Sequence, residues 1–311
     1  MAIYPPVAIC KNSFTYYGKV IIAIFDRFCY ISCMTFINSP FPYAGCKFNL
    51  LEQLDQYIPS GERLFDVFGG SAVVGVNMSK KFNFVCITDI LGDLISMHRS
   101  LQTDNPDDII AKLKDLSSKD PEKYAELRNA YNALAKDSPE RGYRLYGLIL
   151  SCTNNLMRFN QKGGFNQTCG KRQLTAPKEA EIRAWCDMLR SEQGSRIKFG
   201  HGSFDVVMQR IADRIPPEGT VIYLDPPYSN TEAGYNSTWT VDQDNRLSGF
   251  MLAHPEYKYI LSSCSKDGKT TVLVETLRNS GQYDVHEVPH VYKAAKKSKS
   301  SDTMELILVS R

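Results

Sequence analysis

RLFDVFGGSAVVGVNMSKKFNFVCITD, residues 63–89, is the stretch of sequence that decides the fold class of this chain. Residues 63–68 are apolar enough for a short buried strand, which the glycines at 69–70 bring to an end. The segment 73–78 has the composition of a helix, and a second apolar strand follows and ends at Asp89. Strand, glycine turn, helix, strand and acidic residue together predict a βαβ unit of a parallel sheet.

Outside this unit, apolar periodicity predicts further strands and a long helical stretch between two groups of strands. The predicted strands are residues 197–199, 221–224, 259–262 and 305–309. The predicted helices are residues 47–57, 109–116, 124–134 and 143–150. Strands on both sides of a helical stretch indicate one α/β domain interrupted by a smaller, mainly helical module.

The bulk composition is that of a globular protein from a reducing compartment. Of the 311 residues, 43% are hydrophobic and 23% charged, and no apolar run approaches the roughly 20 residues that span a bilayer. The 9 cysteines are scattered without a Cys-x-x-Cys pair, which argues against a disulfide framework and a structural zinc site. The five histidines do not cluster with acids or cysteines. We therefore expect a cytoplasmic protein without a metal and without a membrane partner.

The segment with the most specific chemistry is Asp225-Pro226-Pro227-Tyr228, which directly follows a predicted strand. Two prolines fix φ and remove two backbone donors, so the strand is expected to end in a rigid, exposed loop. The loop can direct a carboxylate, a carbonyl and an aromatic ring at one small group. Asp225 and the Pro226 carbonyl can accept both N–H bonds of an adenine amino group, while Tyr228 stacks on the flipped-out base. The alternative is a strand terminator preceded by an unrelated aspartate.

Two further features suggest a nucleoside cofactor and a nucleic acid. Backbone amides of the turn at 69–70 can approach a ligand, and Asp89 can accept hydrogen bonds from ribose hydroxyls. The segment 154–172 combines basic residues, amides and aromatics in an irregular loop, and such side chains read base edges in the major groove. Purely structural turns and a solvated surface loop are the alternatives. The net charge of +3 is compatible with nucleic acid but does not argue for it.

Taken in order, these motifs resemble the Dam family of DNA adenine-N6 methyltransferases, in particular the T-even phage type. The resemblance covers residues 41–309. The segments that carry it are Pro42-Tyr43-Ala44-Gly45-Cys46-Lys47, Asp66-Val67-Phe68-Gly69-Gly70-Ser71, Asp89, residues 158–172, Asp225-Pro226-Pro227-Tyr228 and Tyr235-Asn236. Several motifs in the correct order are far more specific than any one of them.

This resemblance implies a Rossmann-like, S-adenosylmethionine-dependent methyltransferase domain, residues 34–93 and 173–311, with a mainly helical target-recognition insert at 94–172. It implies methylation of N6 in a flipped-out adenine of double-stranded DNA, without an obligate protein partner. The family's usual target is GATC. Thr168-Cys169 stands where the family usually has Pro-x, so the exact target sequence is left open.

The resemblance also assigns roles to individual residues. The expected catalytic residues are Asp225, Pro226 and Tyr228. The expected cofactor-binding residues are Tyr43, Lys47, Asp66, Phe68, Gly69, Asp89, Ser203, Phe204, Asp225 and Tyr235. The expected DNA-binding residues are Asn154, Arg158, Lys171 and Arg172, of which Arg172 matches the arginine that reads a guanine.

Two rival functions and two ambiguous segments remain. Methylation of cytosine N4 or of a protein amide is disfavoured, because such enzymes more often have Ser or Asn in place of Asp225. A DNA-binding homologue that has lost catalysis is the other rival. Residues 1–33 match no template, and one explanation is a natural start at Met34. The lysine-rich run 293–301 is either a DNA-phosphate contact or a solvated hairpin tip.

Overall fold

The computed structural model describes residues 36–228, 239–288 and 303–311. Residues 1–33, Tyr235 and the lysine-rich run 293–301 therefore lie outside the described residues. Ile37–Arg311 forms one compact unit. The division into residues 34–93 with 173–311 and an insert at 94–172 stays a prediction.

The described residues contain one mixed sheet and eleven α-helices. The strands are β1 (Gly61–Asp66), β2 (Phe82–Asp89), β3 (Ile197–His201), β4 (Thr220–Leu224), β5 (Lys258–Lys266), β6 (Tyr283–Val288) and β7 (Thr303–Ser310). The helices are α1 (Leu51–Tyr57), α2 (Val73–Met78), α3 (Gly92–Thr103), α4 (Pro106–Leu116), α5 (Pro121–Ala133), α6 (Arg141–Ser151), α7 (Ala176–Arg190), α8 (Glu192–Ser195), α9 (Phe204–Arg214), α10 (Val241–Ala253) and α11 (Val272–Asn279).

The sheet has seven strands in the order β3-β2-β1-β4-β5-β7-β6. β1 to β5 run parallel to one another, whereas β7 is antiparallel to both β5 and β6. The strand order reverses between β1 and β4, and in such sheets ligands bind at the carboxyl ends of the strands beside this point. Asp66 and Asp89 end β1 and β2, and Asp225 directly follows β4. The fold is Rossmann-like, which confirms the α/β prediction.

The predicted strands and helices are confirmed with small shifts at their ends. β1 ends at Asp66 instead of residue 68, because the chain turns from Val67 onward into the glycine turn that precedes α2. β6 was not predicted, because its side chains alternate between buried, half-buried and exposed positions and leave no continuous apolar run.

A layer of helices fills the connection between β2 and β3. A buried polar cluster ties three of them together: Arg141 of α6 forms a salt bridge with Asp93 of α3, with Nη2 and Oδ2 separated by 3.0 Å. The Tyr131 hydroxyl of α5 donates to the same Asp93 oxygen at 2.6 Å. Because these groups satisfy one another inside the protein, they fix α3, α5 and α6 relative to each other.

None of the helices within the described ranges is long and apolar enough to cross a membrane.

Candidate active site

A cavity of about 810 Å³ opens at the carboxyl ends of β1, β2 and β4. It brings together every described residue that was expected to bind the cofactor or to act in catalysis. These are Tyr43, Lys47, Asp66, Phe68, Gly69, Asp89, Ser203, Phe204, Asp225, Pro226 and Tyr228. Tyr235, the remaining cofactor residue, lies outside the described residues.

The Asp225 carboxylate contacts two side chains in the cavity, Lys47 and Tyr228. Its Oδ1 lies 2.8 Å from Lys47 Nζ and accepts a hydrogen bond from the Tyr228 hydroxyl at 3.3 Å. Lys47 Nζ also donates to Gly45 O at 3.0 Å, and it lies 5.3 Å from the centre of the Tyr228 ring. The expectation of an exposed loop was wrong: only 18% of the Asp225 side chain is exposed, because Lys47 and Tyr228 cover it.

The charges of Lys47 and Asp225 stabilise each other. Burial raises the pKa of Asp225, and the neighbouring ammonium of Lys47 offsets part of that rise. Burial alone would lower the pKa of Lys47, but Asp225, Tyr223 and Glu305 together more than reverse this and hold the pKa of Lys47 well above its usual value. Lys47 is therefore an ammonium ion at neutral pH, and it provides the counter-charge that Asp225 needs when ionised.

Asp66 lies beneath the cavity with only 1% of its surface exposed. Its Oδ2 accepts the Gly75 N–H at 3.1 Å, whereas its Oδ1 has no hydrogen-bond partner in the described part of the chain. Burial raises the pKa of Asp66 to about 8, the Gly75 hydrogen bond lowers it, and the charges of Asp225 and Asp89 raise it further. A buried oxygen without a partner beside a cavity suits a donor group on a bound ligand.

Asp89 shapes the turn that borders the cavity. Its Oδ2 accepts the Gly70 N–H at 2.9 Å, and its Oδ1 accepts the Leu91 N–H at 2.8 Å. Gly70 has φ +48°, and a Cβ atom there would lie 2.9 Å from Cε1 of Tyr43. Glycine is thus required at position 70 both for its backbone conformation and for the close approach of Tyr43.

Two cavity-lining apolar residues were missed in the sequence. Ile90, directly after Asp89, is 71% exposed although it is a large hydrophobic residue, and it lines the cavity. An exposed isoleucine beside a predicted ribose-binding carboxylate is a candidate contact for a nucleoside ring. Trp239 contacts Phe68 and Phe204, with ring centres 5.6 and 5.4 Å apart, and it also lines the cavity. Nothing in the sequence distinguished these two residues from ordinary apolar positions.

The segment 154–172, called the recognition loop from here on, forms part of the cavity rim, and backbone pairing gives it more regular structure than its sequence suggested. Antiparallel bridges join Cys152 to Cys169 and Phe159 to Phe165. Helix α5 holds the loop, since the Tyr124 hydroxyl donates to Gln167 O at 2.9 Å and Asn132 Nδ2 donates to Phe165 O at 3.0 Å. The loop residues that line the cavity are Asn155, Met157, Phe159, Asn160, Gln161 and Gly163.

The four predicted DNA-binding residues are exposed and lie on this loop without lining the cavity. Arg158 is held across the loop, where its Nε donates to Asn166 Oδ1 at 3.0 Å. Arg172 Nη1 donates to Asn155 Oδ1 at 2.9 Å, and Asn155 does line the cavity. Asn154 has a left-handed backbone with φ +57°. Asn154 and Lys171 face solvent.

Within the described ranges, no group of three or more His, Cys, Asp or Glu side chains is arranged so that it could hold a metal ion.

Comparison with known proteins decides the family. The family model of the D12 class of N6 adenine-specific DNA methyltransferases matches residues 43–296. The chain belongs to this family. The predicted membership among DNA adenine-N6 methyltransferases is thereby confirmed, whereas the T-even phage type stays a prediction.

Similar curated proteins carry related names. The DNA N-6-adenine-methyltransferase of Escherichia phage P1 is 31% identical over 82% of this chain, and the match covers 31% of the phage protein. The retron Ec67 DNA adenine methylase of Escherichia coli is 26% identical over 86% of this chain and 90% of the relative. The DNA adenine methylase of Salmonella typhi is 30% identical, and the match covers 68% of this chain and 72% of the relative. This D12-class chain spans less than half of the phage P1 protein and of the StsI methylase of Streptococcus sanguinis, of which the match covers 44%.

Among solved structures, the rRNA methyltransferase AviRa of Streptomyces viridochromogenes is 12% identical over 88% of this chain and 90% of its own, with a TM-score of 0.37. That similarity is too low to support a conclusion about either fold or function.

Proposed function

We propose that this chain transfers a methyl group from S-adenosylmethionine to N6 of a flipped-out adenine in double-stranded DNA. The observation that carries the proposal is the position of Asp225. Its carboxylate faces one cavity that is also lined by the Gly69–Gly70 turn, Asp89 and the predicted recognition loop. Membership of the D12 class supports the same reaction.

The residues around the cavity fit the proposed cofactor. The volume of about 810 Å³ lies within the roughly 300–1,000 Å³ that is usual for small-molecule sites. Asp66 Oδ1 is a buried acceptor without a partner among the described residues, and it suits the ammonium group of an amino acid. Asp89 and the exposed Ile90 suit a ribose and an adenine ring. When bound, S-adenosylmethionine supplies an electrophilic methyl group on a positively charged sulfur.

Asp225 has one oxygen available for the target base. Lys47 and Tyr228 both bind Oδ1, so Oδ2 has no hydrogen-bond partner in the described part of the chain. Oδ2 and the Pro226 carbonyl can accept the two N–H bonds of an adenine amino group. These hydrogen bonds pull the nitrogen toward tetrahedral geometry and make its lone pair available for the new N–C bond. After that bond forms, the surplus N6 proton can move to Oδ2, and the raised pKa of Asp225 favours this acceptance.

DNA recognition is assigned to the loop that borders the cavity. Arg172 is held next to the cavity by Asn155, and an arginine at such a place can bind a guanine bidentately. GATC is the expected target, because it is the usual target of the Dam family. No protein partner is required for this chemistry.

The test is to incubate the full chain with S-adenosylmethionine and unmethylated DNA of random sequence, and then to map modified bases by single-molecule sequencing. We expect N6-methyladenine at GATC, and a loss of roughly 100- to 10,000-fold in Asp225→Ala with DNA binding retained. Modification of cytosine N4 would favour the rival methyltransferase. No modified base of any kind, with DNA still bound, would favour the inactive DNA-binding homologue.

A further inference from the structure

His98 of α3 lies directly behind the turn that borders the cavity. It is 0% exposed, and its ring stacks on Phe199 of β3 with ring centres 5.1 Å apart and an interplanar angle of 7°. The ring of Phe41 also contacts it, tilted by 59° and with a centre-to-centre distance of 4.8 Å. His98 Nε2 lies 2.9 Å from the Gly70 carbonyl oxygen.

The chemistry of this contact fixes the tautomer of His98. A carbonyl oxygen only accepts hydrogen bonds, so Nε2 carries the proton and donates it to Gly70. Burial lowers the pKa of His98 to about 4, which keeps the ring neutral, and Nδ1 is therefore unprotonated. Nδ1 has no hydrogen-bond partner among the described residues.

A residue that only filled the space between Phe41 and Phe199 would need no nitrogen at all. A phenylalanine could stack on Phe199 without a buried unpaired nitrogen, but it would leave the buried Gly70 carbonyl without the donor that His98 supplies. We therefore attribute the presence of an imidazole at this position to its hydrogen bond with the Gly70 carbonyl.

That hydrogen bond completes the restraint of Gly70. Its N–H is held by Asp89 Oδ2 at 2.9 Å, and its carbonyl is held by His98. The carbonyl of Gly70 and the N–H of Ser71 belong to one planar trans peptide, so they point in opposite directions. Turning the carbonyl toward His98 therefore also sets the direction of the Ser71 N–H, and Ser71 lines the cavity.

We propose that His98 is a positioning residue for the cofactor: its Nε2–H group fixes the Gly70–Ser71 peptide at the edge of the cavity. Helix α3 also packs on α6, from which the predicted recognition loop departs. Through its hydrogen bond to Gly70, His98 thus connects helix α3 to the glycine turn at residues 69–70. The proposal rests on the proposed function, in that the ligand is S-adenosylmethionine.

The test uses two complementary variants of the full chain. His98→Phe keeps the aromatic ring and removes the donor, whereas His98→Gln removes the ring and keeps an N–H group near Nε2. Calorimetric titration with S-adenosylmethionine should give a dissociation constant about five- to tenfold higher for the Phe variant, and one close to the wild-type value for the Gln variant. In the Phe variant the KM for the cofactor should rise while kcat at saturation stays near the wild-type value. Thermal melting shows that both variants are folded.

Two results separate this proposal from the proposed function. Wild-type binding in the Phe variant, or an equal loss in both variants, would overturn the role of the Nε2–H group. No binding of S-adenosylmethionine by the wild-type chain would contradict the proposed function itself, and the role of His98 would fall with it.

Discussion

At the scale of single residues, three aspartate side chains and one ammonium ion define the site. Asp66, Asp89 and Asp225 all line the cavity, and burial raises the pKa of each. Lys47 is the ammonium ion that contacts Asp225 directly. Asp225 must be ionised to take up the surplus proton of the adenine amino group, and its carboxylate also accepts the N–H hydrogen bond more strongly than a neutral carboxyl group does. The charge of Lys47 therefore controls the pH range in which Asp225 can act.

Replacing Lys47 tests this dependence. Lys47→Met removes the counter-charge, so the pKa of Asp225 should rise above its wild-type value. A carboxyl group with a higher pKa becomes protonated at a higher pH. When the pH is lowered, Lys47→Met should therefore lose activity at a higher pH than the wild type does. The measurement is the rate of methyl transfer against pH at saturating cofactor.

Lys47→Arg is the matched control, because it keeps the positive charge and should retain the acid limb of the wild-type profile. An acid limb of Lys47→Met that coincides with that of the wild type would show that Lys47 does not govern the ionisation of Asp225.

At the scale of elements, the recognition loop is a folded unit held on α5 and α6. Its two bridges, Cys152 to Cys169 and Phe159 to Phe165, fix the spacing of its two arms. Arg158 spans the arms through Asn166. The loop backbone therefore holds Arg172 in a defined position, which a contact specific for one DNA base requires.

Arg172→Ala should relax the preference for one guanine of the target by roughly 1–3 kcal/mol. The measurement is the methylation rate on a set of duplexes, each carrying one base change within the target. The neighbouring Lys171→Ala is the control, and it should weaken binding to all duplexes alike and reduce the dependence on salt. Uniform weakening by Arg172→Ala would instead mark Arg172 as a phosphate contact.

The sequence predicted those elements whose signal is local. β1, β2 and β4 are short apolar runs, and the carboxyl ends of neighbouring parallel strands meet at one edge of a sheet. The three carboxyl groups were assigned to one site through the family resemblance, and the structure places Asp66 and Asp89 at the ends of β1 and β2 and Asp225 directly after β4.

Other features depend on tertiary contacts and leave no local pattern. The ion pair of Lys47 with Asp225 joins distant parts of the chain, and the residues alone did not indicate it. The exposure of Ile90 and the contact of His98 with Gly70 result from how α3 packs beside the sheet. β6 escaped prediction because it is only half buried.

At the scale of the whole molecule, a single cavity is lined by the proposed cofactor residues, Asp225 and the recognition loop. Neighbouring surfaces of one unit, Ile37–Arg311, would then bind the methyl donor, bind the target base and recognise the DNA sequence. The central claim is that the Asp225 carboxylate activates adenine N6 in this cavity.

A single-turnover experiment tests that claim most directly. Wild type and Asp225→Asn are each mixed in excess with S-adenosylmethionine, labelled in its methyl group, and a duplex with one GATC site, and the nucleosides are then identified by mass spectrometry. We expect N6-methyladenine from the wild type and a rate roughly 100- to 10,000-fold lower for Asp225→Asn at equal DNA binding. Labelled methyl groups on any other atom, or equal rates for the two proteins, would contradict the claim.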